Sequence, residues 1–186
     1  AARVELRRYP LGVVAGIVAW NFPILLATWK IGPALVAGNT IVLKPAPTTP
    51  ATTLRLGALI KDIVPPGVVN IIADENDLGA YLTSHADVAK VSFTGSVETG
   101  RKIMKSGAES LKRLTLELGG NDAMIVLDDV NVSDVAPKIF DAAMLNCGQV
   151  CLAAKRIFVQ GKIYDEMAAA LGAIARDTVV DDGMKQ

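Results

Sequence analysis

Short runs of Val, Ile and Leu recur along the chain, each followed by a segment whose apolar residues fall at helical spacing. Val13 to Trp20, Thr40 to Leu43, Val68 to Ile72, Val91 to Phe93 and Leu114 to Leu116 read as strands. Their runs are continuous rather than alternating, which suits strands buried on both faces of a parallel sheet. Between them, Ile24 to Ala37, Thr49 to Ile63, Asp77 to Ser84 and Glu98 to Ser106 read as helices, the second with Thr49 as N-cap, Pro50 in its first turn and Pro65-Pro66-Gly67 as its stop. Regular alternation of strand and helix predicts an α/β fold with a doubly wound parallel sheet of Rossmann type. Ahead of it, Val4 to Arg8 alternates as an edge strand does, and Pro10 stops it.

The pattern restarts after Gly119-Gly120, which places a domain boundary near Gly120. Met124 to Leu127 and Ile157 to Val159 read as strands. Ser133 caps a helix running towards Asn146, and a last helix spans Tyr164 to about Asp177. Two strands and two helices are too few to enclose a core, so this part is expected to continue beyond Gln186 as the truncated start of a second α/β domain.

Composition narrows the partners. Of the 186 residues 51% are hydrophobic, and the mean hydropathy of +0.37 is high for a small domain, which implies apolar surface that meets something else. Lys+Arg 19 against Asp+Glu 19 leaves no basic excess for nucleic acid and no polybasic run for a membrane surface. One His and two Cys supply too few soft ligands for a metal site, and the sparse cysteines fit the reducing cytoplasm. Arg3, Arg7 and Arg8 before the apolar run at Leu11 mimic a secretory leader, but the run leads into Asn21-Phe22-Pro23 and not a cleavage site. No run reaches the ~18 to 20 apolar residues of a membrane helix.

Three stretches carry candidate chemistry. Cys151, in Gly148-Gln149-Val150-Cys151, reads as a nucleophile, with Cys147 as its packing neighbour; Glu117 between Leu116 and Leu118, before a flexible Gly-Gly, suits a general base; Asn21 offers an amide donor for an oxyanion. The turn from Phe93 to Gly100 joins a strand to a helix whose first amides favour an anion, and Lys44 stands at the carboxyl end of a buried strand, where ligands bind in such sheets. Taken singly, each has a bland reading: buried thiol, structural ion pair, turn former, glycine-containing turn, solvated lysine.

In their order, Trp20-Asn21-Phe22-Pro23, Lys44-Pro45-Ala46, Pro65-Pro66-Gly67-Val68-Val69-Asn70, Phe93-Thr94-Gly95-Ser96, Glu117-Leu118-Gly119-Gly120 and Gly148-Gln149-Val150-Cys151 resemble the aldehyde dehydrogenase superfamily along essentially the whole chain. The resemblance implies the end of an oligomerisation strand at residues 1–10, a dinucleotide-binding domain at 11–119 and the N-terminal part of a catalytic domain at 120–186. It implies NAD or NADP as cofactor, an aldehyde as substrate and a homo-oligomer in the intact enzyme. By motif, Cys151 resembles the nucleophile, Glu117 the base that activates water and Asn21 the oxyanion donor, with Trp20, Lys44, Gly95, Ser96 and Gly100 on the cofactor side. Ala19 replaces the family's usual Pro, and Ala73 to Asp77 replaces a Gly-rich segment. Pro47 stands where many NAD-preferring members carry Glu, so NADP is expected to be tolerated beside NAD. The family's downstream Glu-x-Phe-Gly motif has no counterpart, so residues 1 to 186 alone are expected to show no steady-state aldehyde oxidation. An acylating, coenzyme A-dependent relative is disfavoured by Glu117, a cysteine hydrolase by the polar setting of His85, and a dinucleotide-binding fragment without turnover stays open.

Overall fold

Successive residues of strand β1 (Val13–Ile17) point to opposite sides of a sheet, and the two sides carry separate cores. The computed structural model describes residues 3–185, which fall into two compact units, one ending at Leu118 and the other starting at Gly119. Ala1 and Ala2 of the expected oligomerisation strand, and Gln186, lie outside the described residues.

The first unit is a five-stranded sheet in the order β3-β2-β1-β4-β5, with β2 (Thr40–Lys44), β3 (Val69–Ile71), β4 (Val88–Thr94) and β5 (Arg113–Glu117), every pairing parallel. Helices α1 (Pro23–Val36) and α2 (Ala51–Ile60) pack on one face, where Val14, Leu26, Ile31, Ile41 and Leu43 form a core. Helices α3 (Leu78–Ser84) and α4 (Val97–Ala108) cover the other, over Ala15, Ile17, Val91, Phe93 and Ile103. This is the predicted doubly wound sheet, with the chain reversing its direction of travel between β1 and β4. The amides of Leu11 and Gly12 donate to Asn39 Oδ1 (2.6 and 3.1 Å), tying the entry of β1 to the loop after α1.

Local details depart from the sequence reading. Residues 4–8 form no strand and are exposed, because no described strand of the chain runs beside them. Thr49 does not cap α2: its amide turns back to Ala46 O (3.1 Å), its hydroxyl donates to Trp20 O (3.4 Å), and Pro50 holds the N-cap position without a side-chain bond. Strand β4 begins three residues before the predicted Val91, since Lys90 donates to Thr115 Oγ1 of β5 (2.6 Å) and so satisfies its charge within the sheet.

In the second unit β6 (Asp122–Val126) and β7 (Ala154–Val159) pair in parallel, flanked by α5 (Val132–Met144) and α6 (Tyr164–Asp177). Asn131, not Ser133, is the cap of α5: its Oδ1 accepts from Ser133 N (3.0 Å) and Ser133 Oγ (2.8 Å). Val126, Val132, Ala136, Ile139, Ile163 and Met167 form a core in this unit. The core lies on one face only, and Ile125 and Phe158 on the strands stay exposed. Among the described residues no helix is long and apolar enough to cross a membrane.

Candidate active site

All strands of a parallel sheet end on one edge, so the segments that follow them share a rim. In the first unit that rim is built by register: Ile17 is level with Lys44 of β2 and with Phe93 of β4, and Thr94 is level with Glu117 of β5. One residue on, Gly95 N donates to Glu117 O (3.0 Å), fixing the β4–α4 turn beside the end of β5. The sheet thus brings the segments bearing Trp20 and Asn21, Lys44, Gly95 and Ser96, and Glu117 to one edge. Asn21 is half-buried in the turn into α1, Trp20 is half-exposed, and Phe22 packs against the α1 core and anchors that turn.

Ser96 is the N-cap of α4, its Oγ accepting from Thr99 N (3.1 Å). The amides of Val97 and Glu98, earlier in that turn, have no acceptor within the helix. Glu98, the acidic residue of the turn, is paired with Lys102 (2.8 Å). Gly100 is buried one turn into α4, where a Cβ would come 2.8 Å from Leu118 Cδ2, so its lack of a side chain lets the helix pack against the end of β5. Lys44 is nearly buried, its Nζ 2.7 Å from Asp74 Oδ1. An ammonium on one side of β1 and first-turn helix amides on the other form a donor set that fits the ribose hydroxyls and pyrophosphate of a dinucleotide.

Glu117 does not lie in the expected apolar setting. Strand alternation turns Leu116 and Leu118 towards the α4 core and leaves the carboxylate exposed at the end of β5. Lys30, which the sequence reading passed over, shares the electrostatics of this edge. Its Nζ donates to Thr94 Oγ1 (2.8 Å) and Ser92 Oγ (3.4 Å) on β4. Burial pushes the Lys30 ammonium down to about 8, the Glu117 charge opposing that fall and the Lys90 charge adding to it. The signal was present: Lys30 is the one charge on the stripe Leu26, Ala27, Lys30, Ile31, Ala34 that α1 buries.

Cys151 is carried by the second unit. Asn146 (φ 50), Cys147 (φ 56) and Gly148 (φ 75) are all left-handed, an uncommon run that ends the helical segment sharply. Val150 and Ala153 are then buried on either side of a half-buried Cys151, while Cys147 is exposed. Cys147 is therefore not the buried packing thiol that the sequence suggested. Gly120 backs directly onto the Cys151 carbonyl, so a side chain at position 120 would displace the thiol's own backbone.

A family model described as the aldehyde dehydrogenase family matches residues 1–186. The chain belongs to the aldehyde dehydrogenase family. A phenylacetaldehyde dehydrogenase of Pseudomonas fluorescens is 44% identical over 187 residues, covering 100% of this chain and 37% of the relative. An aldehyde dehydrogenase of Bacillus cereus, solved as an NAD+ complex, is 42% identical with a TM-score of 0.92, over 96% of this chain and 37% of that one. An NADP dependent enzyme of E. coli is 42% identical with a TM-score of 0.90, over the same 96% and 37%. The chain thus spans a little over a third of the length of the curated relatives it matches.

Proposed function

We propose that this aldehyde dehydrogenase chain supplies the dinucleotide-binding and nucleophile-bearing parts of an enzyme that oxidises an aldehyde to a carboxylic acid with NAD or NADP. The observation that carries this reading is the shared edge of the first unit, where Lys44 at the end of β2, the Gly95-Ser96 turn after β4 and Glu117 at the end of β5 come together on either side of β1. The cofactors named for the Bacillus cereus and E. coli structures support the choice of dinucleotide.

In this reaction the Cys151 sulfur, as thiolate, adds to the aldehyde carbonyl and forms a thiohemiacetal. The Asn21 amide donates to the oxygen, which gains negative charge as the C–S bond forms, together with the Cys151 backbone amide. Lys44 would hold the ribose hydroxyls and the α4 turn at Ser96 the pyrophosphate, and a dinucleotide held so would supply the hydride acceptor for conversion of the thiohemiacetal into a thioester. Glu117 then takes a proton from water, the resulting hydroxide attacks the thioester carbonyl, and the thiolate leaves as the acid is released. An exposed carboxylate at a strand end suits that role, since it has to reach water.

The two half-reactions separate in one experiment on the intact enzyme. Glu117→Gln is expected to keep a burst of reduced cofactor while steady-state turnover falls by about a hundredfold or more, and Cys151→Ser to lose burst and turnover together. Turnover unchanged in Glu117→Gln would remove the water-activation role. A Cys151→Ser variant that still gives a burst would move the nucleophile elsewhere.

A further inference from the structure

The charge at the β2 end of the rim is decided by one buried ion pair. Lys44 reaches from the last residue of β2 to Asp74 in the β3–α3 connection, with the two side chains 4% and 0% exposed. Asp74 Oδ1 accepts from Lys44 Nζ (2.7 Å) and Asp74 Oδ2 from Leu78 N (3.0 Å), so both oxygens are committed and the carboxylate cannot turn away. Burial alone would raise the Asp74 carboxyl. Hydrogen bonds from Lys44 and from the Leu78 and Asn76 amides, with the Lys44 charge, outweigh that and hold it below its usual range, so it is ionised at neutral pH. Pro47, three residues beyond Lys44, brings no charge of its own.

This pair treats the two dinucleotides differently. An ammonium has three donors, and with one given to Asp74 the others serve neutral ribose hydroxyls. A 2′-phosphate carries about −1.5 to −2 charges and needs an uncompensated cation. Here it meets a lysine already neutralised, with a fixed carboxylate directly behind it. We infer that Asp74 makes this chain select NAD over NADP, by cancelling the Lys44 charge that a 2′-phosphate would otherwise recruit. The inference rests on the dinucleotide reading above and replaces the expectation, based on Pro47, that NADP is tolerated beside NAD. The sequence offered Asp74, Glu75 and Asp77 as equals, and only the fold shows which carboxylate is turned onto Lys44.

Calorimetric titration of the full chain with 5′-AMP and 2′,5′-ADP, which differ only by the 2′-phosphate, and with NAD and NADP, reads the selectivity without turnover. The wild-type chain is expected to bind 5′-AMP about tenfold or more tightly than 2′,5′-ADP. In Asp74→Asn that ratio should collapse towards one, with 5′-AMP affinity changed less than about threefold. Asp74→Ser, whose hydroxyl still accepts from the Leu78 amide, serves the same comparison if the Asn variant fails to fold. Wild-type binding of 2′,5′-ADP as tight as that of 5′-AMP overturns the inference with no variant needed. A ratio unchanged in variants that still bind NAD removes Asp74 and leaves the dinucleotide reading standing, whereas a wild type that binds neither NAD nor 5′-AMP removes both.

Discussion

Lys30 holds its ammonium under α1 against the Ser92 and Thr94 hydroxyls of β4, in a position only 9% exposed. Its folded-state pKa of about 8 lies below the ordinary 10.5. Below pH 8 both the folded and unfolded chains carry this proton, and the cost of burying the charge is present in full. Between about 8 and 10.5 the unfolded chain binds more protons than the folded one, so stability rises with pH through that window. The difference in unfolding free energy between wild type and Lys30→Met should therefore climb from pH 8 to 10, by at most about 1.4 kcal/mol per pH unit for one proton. Parallel urea-denaturation curves across that range would show that the ammonium is solvated. At this scale the sequence disclosed residues set off by their neighbours, such as Cys151 after Gly148-Gln149 and Asn21 before Phe22-Pro23. Lys30 was legible as the one charge on a buried helical stripe, whereas the role of Asp74 comes from the fold turning its loop onto Lys44, and no spacing along the chain encodes that.

The seat of α1 on the sheet depends on a missing side chain. A Cβ at Gly16 would stand 2.6 Å from Leu43 Cδ1 and 3.1 Å from Ile41 Cδ1, both on side chains with no exposed surface, and 3.5 Å from the Lys30 stem. Gly16→Ala gains about half to one kcal/mol from reduced freedom of the unfolded chain but overpacks a site with no room to yield, so a net loss of about 1–2 kcal/mol is expected. A urea midpoint equal to or above that of wild type would mean that β1 and β2 can spread. Elements were the most legible level, because buried parallel strands are apolar throughout and their helices carry regular stripes. Their ends were less so. Lys90 interrupts the run that β4 continues through, and Ser133 and Thr49 have the right chemistry for caps while Asn131 and Pro50 occupy those positions. Residues 4–8 alternate like a strand, yet a strand exists only where another lies beside it.

Across the molecule, the high hydropathy of the sequence finds its counterpart in apolar side chains left uncovered on both units: Trp29, Val36 and Ile63 on the first, Ile125, Leu127 and Phe158 on the second. The sheet order has a different consequence, in time. Val13 of β1 pairs with Thr40 on one side and with Val88 on the other, so the β1–α1–β2 unit can close through near neighbours while the second side waits for a distant strand. The rim between Lys44 and Gly95 does not exist until β4 has docked. A dinucleotide held there can recognise only a nearly finished domain, and cannot guide the steps that build it. Stopped-flow measurements on the full chain should therefore give refolding rates independent of NAD concentration and unfolding rates that slow as NAD saturates. Refolding that accelerates with NAD would place β4 in the sheet early. On the proposed reading, a dinucleotide would govern how long the folded domain lasts, and the chain alone how quickly it forms.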